Sequence, residues 1–393
     1  KVDGQQIGVI ALVKSALTGE KAEVSENFDW DNALNTAKKH QIIPMFYYGV
    51  QYSGITTPTE IMQFLELATY KNIAVSQNQL YALEQIYKAF DENEIDYMPL
   101  KGSVLKFVYP KPELRPMGDA DILIRQEQYE KIRPIMTGLG FSEILESDHE
   151  LLWNKKGVLH VELHKRLIPS HNKDYYEYYG DGWRFAEHKE NCRYDMRDED
   201  NYIYLFTHYA KHYRDGGIGI RHMTDLYVFA AAHSELNYGY IEKELEKLQL
   251  LKFYKNTRHT LGVWFGGEMP DNMSDFITAK IFGSGSFGTH KDSVLSQALK
   301  ATKSGETARS IKSKKIIHDL FLPYEAMCAK YHFLIKLPVL LPIMWIVRAF
   351  NVLLFKHNKI KNERENNSYI TDDSVCQYQD DLTYVGLKFD FKE

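Results

Sequence analysis

The sequence predicts an α+β protein: a small mixed sheet embedded in helical N- and C-terminal regions. Three observations carry this reading. Short apolar runs with period-two alternation, at 97–101, 119–124 and 158–164, have the length and patterning of strands. A stretch with helical periodicity, 126–139, separates two of them and stops at Gly140, a residue favoured just past a helix end. Long amphipathic patterns precede and follow the strands, so helices enclose the sheet in the chain order.

The elements follow in sequence. Residues 1–90 are expected to be a helical region, with helices at 7–17 and 30–40. Asp29 is placed to cap the second, and Ile42, Ile43 and Pro44 are expected to end it. Thr57 and Pro58 read as a cap followed by a proline at the first helical position, opening a long helix through Leu65, Leu80, Leu83 and Ile86 to Phe90. An α/β core at 91–190 begins with the strand at 97–101, which closes on Gly102. Ser103 then caps a helix to Val108, and a loop containing Pro110 and Pro112 leads to the next strand. Leu151 to Asn154 and Val158 to His164 pair as an antiparallel hairpin across Lys155, Lys156 and Gly157. A tyrosine-rich linker, with Tyr175, Tyr176, Tyr178 and Tyr179, leads to a helical domain at 191–310. A C-terminal helical segment and tail fill 311–393, ending in an edge strand over 384–391.

Composition restricts the partners. A chain of 393 residues with 44% hydrophobic content can build substantial cores without staples. Its formal charge of −5, with basic residues scattered among acids, argues against a grip on long nucleic acid. Cys192, Cys328 and Cys376 lie far apart, so neither a disulfide framework nor a zinc site is expected, and a cytoplasmic location is. No secretion signal is visible at the N-terminus. The apolar run 337–347 is interrupted by Pro338 and Pro342 and is shorter than the roughly 20 residues of a membrane span. A helix buried on the rest of the protein, or docking at a surface, is expected there and membrane association is not, with a membrane-surface partner using 333–355 as an amphipathic dock standing as a third reading of the function. Gly283 to Gly288 resembles a dinucleotide loop only superficially, because no clear strand precedes it; a helix-to-helix loop is expected.

The chemistry concentrates in the core. Leu100, Lys101, Gly102 and Ser103 are followed by Gly118, Asp119, Ala120, Asp121 and Ile122. Two aspartates separated by one small residue at the start of an apolar strand project to the same side, as magnesium binding requires. Glu162 lies within the alternating run Val158 to His164, on a second strand. His160 and His164 share its face, so a His-Glu-His metal site is a further option, though the aspartate pair already accounts for the carboxylate. His208 and His212 are one helical turn apart, but Tyr209 stands where a zinc peptidase needs glutamate. Substrate contacts or core hydrogen bonds remain for them. Arg221 and Asp225, also a turn apart, are expected to form a structural ion pair.

This arrangement resembles the DNA polymerase β-like nucleotidyltransferase superfamily: an apolar residue, Gly-Ser, an interval, Asp-x-Asp, then a lone carboxylate on a later strand. The interval from Ser103 to Asp119 is longer than in its shortest members. Lys101, the run Arg115 to Asp121, Glu162 to His164, His208 to His212, and Asp225 with Leu226 are similar to the family described as uncharacterised nucleotidyltransferase, over roughly 75–265. The resemblance implies a polymerase β-like palm and transfer of a nucleoside monophosphate from a nucleoside triphosphate to a hydroxyl of a small molecule or protein. It implies catalytic and metal-binding roles for Asp119, Asp121 and Glu162, with two Mg2+ ions, or Mn2+ in their place. Lys101, Gly102, Ser103 and Arg115 are the corresponding nucleotide contacts. The competing reading is an inactive nucleotidyltransferase fold acting as a binding or regulatory protein, such as a toxin–antitoxin component; loss of a carboxylate would favour it, and none is lost.

Overall fold

A computed structural model describes residues 2–388, apart from 148, 170–172, 287, 301–307, 323, 325–326, 329–330 and 356–364. Helix α1 (Gly4–Thr18) opens with a capping box between Asp3 and Gln6, and α2 (Trp30–Lys39) starts on Asp29, whose carboxylate accepts from the Asn32 amide as expected. Pro44 does not serve as a stop. It lies in the first turn of a new helix, α3 (Ile43–Ser53), where the missing amide proton is not needed. In helix α4 (Thr59–Glu92) Pro58 occupies the N-cap position without a side-chain capping bond, while the Thr57 hydroxyl donates to the Ile55 carbonyl, so the boundary lies one residue later than the Thr-Pro pair suggests.

Seven strands form one mixed sheet. The expected ones are β1 (Tyr97–Leu100), β2 (Asp119–Ile124), β4 (Glu150–Lys155) and β5 (Leu159–His164), with α5 (Gly102–Val108) and α6 (Tyr129–Gly138) in the intervals. Three were not legible: β3 (Ser142–Glu146), β6 (Ala186–Glu190) and β7 (Arg193–Met196). The outermost two, β3 and β6, carry mostly exposed side chains, so burial imposes no alternation for a sequence pattern to display. The order is β3-β4-β5-β2-β1-β7-β6. β2 runs parallel to β5 and β1 parallel to β7, while the other neighbours are antiparallel.

The tyrosine-rich linker is in part a helix, α7 (Lys173–Tyr179), because Tyr175 and Tyr179, one turn apart, are both buried. Then follow α8 (Asp198–Asp215), α9 (Ile220–Ala232) and helices at Tyr238–Lys247, Leu251–Leu261 and Asn272–Ser284. The glycine-rich stretch begins within the last turn of the last of these, at Gly283 and Ser284, and leads into the helix His290–Lys300, which is incompatible with a strand-borne cofactor loop; Phe287 lies outside the described residues. The expected terminal strand is corrected as well. Tyr384 belongs to a helix, Asp372–Val385, opened by a Thr371 capping box, and 389–391 lie outside the described residues.

The sheet separates two packing faces. Ala120, Ile122 and Ile124 of β2 join Leu159, Val161 and Leu163 of β5 and Leu151 and Trp153 of β4 in one core, against Leu83, Ile86 and Phe90 of α4 and Ile132 and Met136 of α6. On the other face, Met98, Leu100 and Leu123 enter a larger cluster that also takes in residues of α1 to α3, α8 and α9. Period-two alternation therefore sends every second residue of β2, β4 and β5 towards the helical layer. Those residues include Asp119, Asp121, Glu150, His160, Glu162 and His164, alongside Leu123, Leu152 and Asn154.

Candidate active site

The parallel pairing of β2 with β5 sets Asp119 beside His160, Asp121 beside Glu162 and Leu123 beside His164. The antiparallel pairing of β5 with β4 sets His164 beside Glu150. Asp119, Asp121, Glu150, Glu162 and His164 line one cleft of about 570 Å³ between the sheet and helices α8 and α9, whereas His160 is exposed outside it. Asp121, Glu162 and His164 each offer a ligand atom within 4.8 Å of the others. Asp119 lines the same cleft but is exposed at its rim, outside that cluster. The structure thus brings together Asp121 and Glu162 as expected and, of the two histidines in the His-Glu-His option, His164 but not His160, which is exposed outside the cluster. Glu150 was missed. Its Oε2 lies 3.7 Å from His164 Nδ1, and only the strand register could have placed it there.

Lys101 is no surface lysine. Its Nζ lies 2.6 Å from Asp121 Oδ1, and His164 Nε2 approaches the same oxygen to 2.8 Å. Burial opposes ionisation of Asp121, but the Lys101 ammonium and the His164 contact prevail and hold this carboxyl well below the usual range. Burial likewise disfavours the Lys101 ammonium, and Asp121 more than compensates, raising its pKa. Glu162 moves the other way: burial, then the neighbouring Asp121 charge, push it up from 4.5 to about 7. One carboxylate is therefore locked in its charged form while its neighbour exchanges a proton near neutrality. Lys101 also adopts φ 43° and ψ −114°, a conformation rare for a residue with a side chain, at the junction of β1 and α5. Such a backbone costs about 1–3 kcal/mol and is retained where surrounding packing imposes it.

The neighbours of Lys101 divide. Gly102 lines the cleft, and a Cβ there would sit 2.7 Å from Arg115 Nη1. The absent side chain is thus required by the packing of Arg115. Ser103, expected as the cap, lies inside α5, because Lys101 occupies the N-cap position. Successive helical side chains diverge by about 100°, and Ser103 is buried along a different cleft with Tyr87, Tyr97 and Pro99. The structure does not bring its hydroxyl to the acids.

Arg115 reaches the cleft wall, but its Nε and Nη2 donate to the two oxygens of Asp225, each at 3.1 Å, and Tyr109 donates to Asp225 Oδ1 at 2.7 Å. The expected partner of Asp225, Arg221, instead donates to Gln41 Oε1 and to the Pro116 carbonyl. The correction has a geometric cause: Arg115 presents the planar two-pronged fork that a buried carboxylate accepts, from the segment leading into β2. Both arginines tie the segment leading into β2, and so Asp119 and Asp121, to α9, and Arg221 also joins α9 to Gln41 in the turn between α2 and α3.

The opposite wall is imidazole-rich. His208 and His212 of α8 have ring centroids 4.3 Å apart, and His222 of α9 lies 6.4 and 6.2 Å from them. Burial, then the Lys101 charge, lower the pKa of His208; burial, then Arg221, lower that of His222. His208 and His212 both line the cleft.

A sequence profile for the family described as uncharacterised nucleotidyltransferase matches residues 26–266. This reaches from before α2 to the end of the helices that face the sheet. A solution structure of the antibiotic-resistance factor ANT(2'')-Ia is similar at 15% identity, covering 47% of this chain and 94% of its own, with a TM-score of 0.32. No curated protein matches the chain significantly.

Proposed function

Because the chain belongs to the uncharacterised nucleotidyltransferase family, we propose that it moves a nucleoside monophosphate from a nucleoside triphosphate to a hydroxyl of a small molecule or protein, using divalent metal and releasing pyrophosphate. The observation that carries this reading is the convergence of Asp121, Glu162 and His164 within 4.8 Å beside Lys101. Two carboxylates and an imidazole suit a small divalent cation. Asp119, Asp121 and Glu162 would hold it, with His164 in reach. Magnesium, as two ions, or manganese would supply charge stabilisation at the attacking and leaving oxygens.

The side chains account for the remaining steps. An acceptor oxygen attacks the α-phosphorus as the bond to the pyrophosphate oxygen breaks, and the bonding pair leaves with pyrophosphate. The acceptor proton needs a base. Glu162, whose pKa without metal is about 7, either completes the metal site nearer the acceptor or receives this proton. Lys101 and Gly102 stand at the mouth of the β1–α5 turn, where the phosphates would lie, and the wall of His208, His212 and His222 is left to orient the ligand. Arg115 acts on this chemistry by fixing the start of β2.

Calorimetry with a nucleoside triphosphate analogue, with and without Mg2+ or Mn2+, tests the proposal. Binding that requires metal and is weakened at least about tenfold by Asp119→Asn is the expected result. Metal-independent binding, unchanged in that variant, would remove Asp119 and the divalent metal from the function.

A further inference from the structure

The cleft does not account for the C-terminal segment. The helix Leu341–Phe355 is apolar on two opposite stripes. Leu341, Met344 and Trp345 pack inwards against Met327, Cys328 and Leu334, and Arg348 on the same stripe is buried. Ile343, Ile346, Val347 and Phe350, at the spacing i, i+3, i+4 and i+7, face outwards with exposures of 55%, 58%, 40% and 60%. Leu337 and Val339, just before the helix, are 51% and 79% exposed. The expectation that this segment buries its apolar residues on the protein holds for one stripe only. Contiguous apolar surface of this kind marks an interaction site.

Charge identifies the partner. Residues 308–361 contain ten lysines and arginines but only two acids, Asp319 and Glu325, a formal +8 in a chain whose total is −5. A basic segment carrying an exposed apolar stripe matches the interface of an anionic bilayer, where apolar side chains enter the acyl boundary and lysines meet headgroup charge. The helix has 15 residues, about 22 Å at 1.5 Å per residue, short of the roughly 30 Å hydrocarbon core. Among the described residues no helix is long and apolar enough to cross a membrane. The 15 described helical residues are suited to lying on a bilayer.

We propose that the stripe formed by Leu337, Val339, Ile343, Ile346, Val347 and Phe350, with the basic residues that the sequence carries over 308–361, docks the protein on an anionic membrane surface. This is independent of the chemistry in the cleft. The test is co-sedimentation of the full chain with vesicles of phosphatidylcholine alone and vesicles in which phosphatidylserine replaces part of it. The wild type is compared with Ile343→Ser/Ile346→Ser/Phe350→Ser and with Lys312→Glu/Lys314→Glu/Lys315→Glu, each checked for an unchanged circular dichroism spectrum and melting temperature. Binding is expected on anionic vesicles only, falling with added salt and at least about tenfold weaker in either variant. No retention by anionic vesicles, equal retention by both kinds, or wild-type retention of the triple-serine variant overturns the proposal. So does a self-association or RNA binding that the serine substitutions abolish in the absence of any vesicle binding.

Discussion

Replacing Glu162 with glutamine should make the metal-free protein more stable while disabling transfer. The side chain is held where burial and the Asp121 charge raise its pKa from 4.5 to about 7. At 1.36 kcal/mol per unit, holding it ionised above neutrality costs up to about 3 kcal/mol. Water reaches 28% of the side chain, which reduces the expected gain to about 2 kcal/mol. Because the folded pKa is the higher one, the stability tied to this group is fully present below the unfolded pKa and is lost as pH rises towards 7. Glu162→Gln should therefore melt a few degrees higher at pH 8, with the gain shrinking towards pH 5, where the native carboxyl is already protonated. Added Mg2+ or Mn2+ should raise the wild-type melting temperature more than that of the variant, since the charge that is costly alone is the one a cation needs. Pyrophosphate release should fall by about 10²-fold or more, with triphosphate affinity within a few-fold. Thermal melts over pH and metal, with pyrophosphate release on the same preparation, decide it. A variant that melts lower than wild type at pH 8, or turns over normally, would show Glu162 to be a packing residue.

Three further outcomes follow from the same geometry. Asp121→Asn should destabilise the protein by about 3–5 kcal/mol, because it leaves the Lys101 ammonium buried without its counter-charge, and the added change Lys101→Met should restore much of the loss in chemical denaturation; an Asp121→Asn protein as stable as wild type refutes the buried pair. Arg115→Lys keeps the charge but not the fork that meets both oxygens of Asp225, so denaturation should show a loss of about 2–4 kcal/mol, and an unchanged midpoint would mean that the pair does not anchor β2. His40 is fully buried, with one ring nitrogen 3.2 Å from the Ile220 amide and the other 3.3 Å from the Phe282 carbonyl, and burial lowers its pKa from 6.5 to about 4. Its contribution is present above the unfolded pKa and lost as pH falls through about 4, so His40→Gln should flatten the decline in melting temperature between pH 6.5 and 4; an undiminished decline would assign it to other groups.

The sequence by itself determined the elements whose signals are local. Alternation in β2 and β5 exposed the face bearing Asp119, Asp121 and Glu162, because one side of each strand is buried and must be apolar. Asp29 and Gly140 marked helix ends through short-range hydrogen bonding and backbone freedom. Edge strands β3 and β6 had no such signal, since solvent-facing side chains are free to be polar at every position. Pro44 carried two opposite local meanings, and tertiary packing of α3 against α1 and α4 chose between them. The site shows the same division. Which residues could bear charge was written in the chain, but which charges meet was decided by register and by helices distant in sequence. Asp225 lies four residues from Arg221 yet pairs with Arg115, and Asp121 takes Lys101 and His164 as partners across two strand junctions. Local spacing measures only what one helix or strand can bring together; the pairing of buried charges depends on which side chain can reach with its hydrogen bonds intact, and that is a property of the assembled fold.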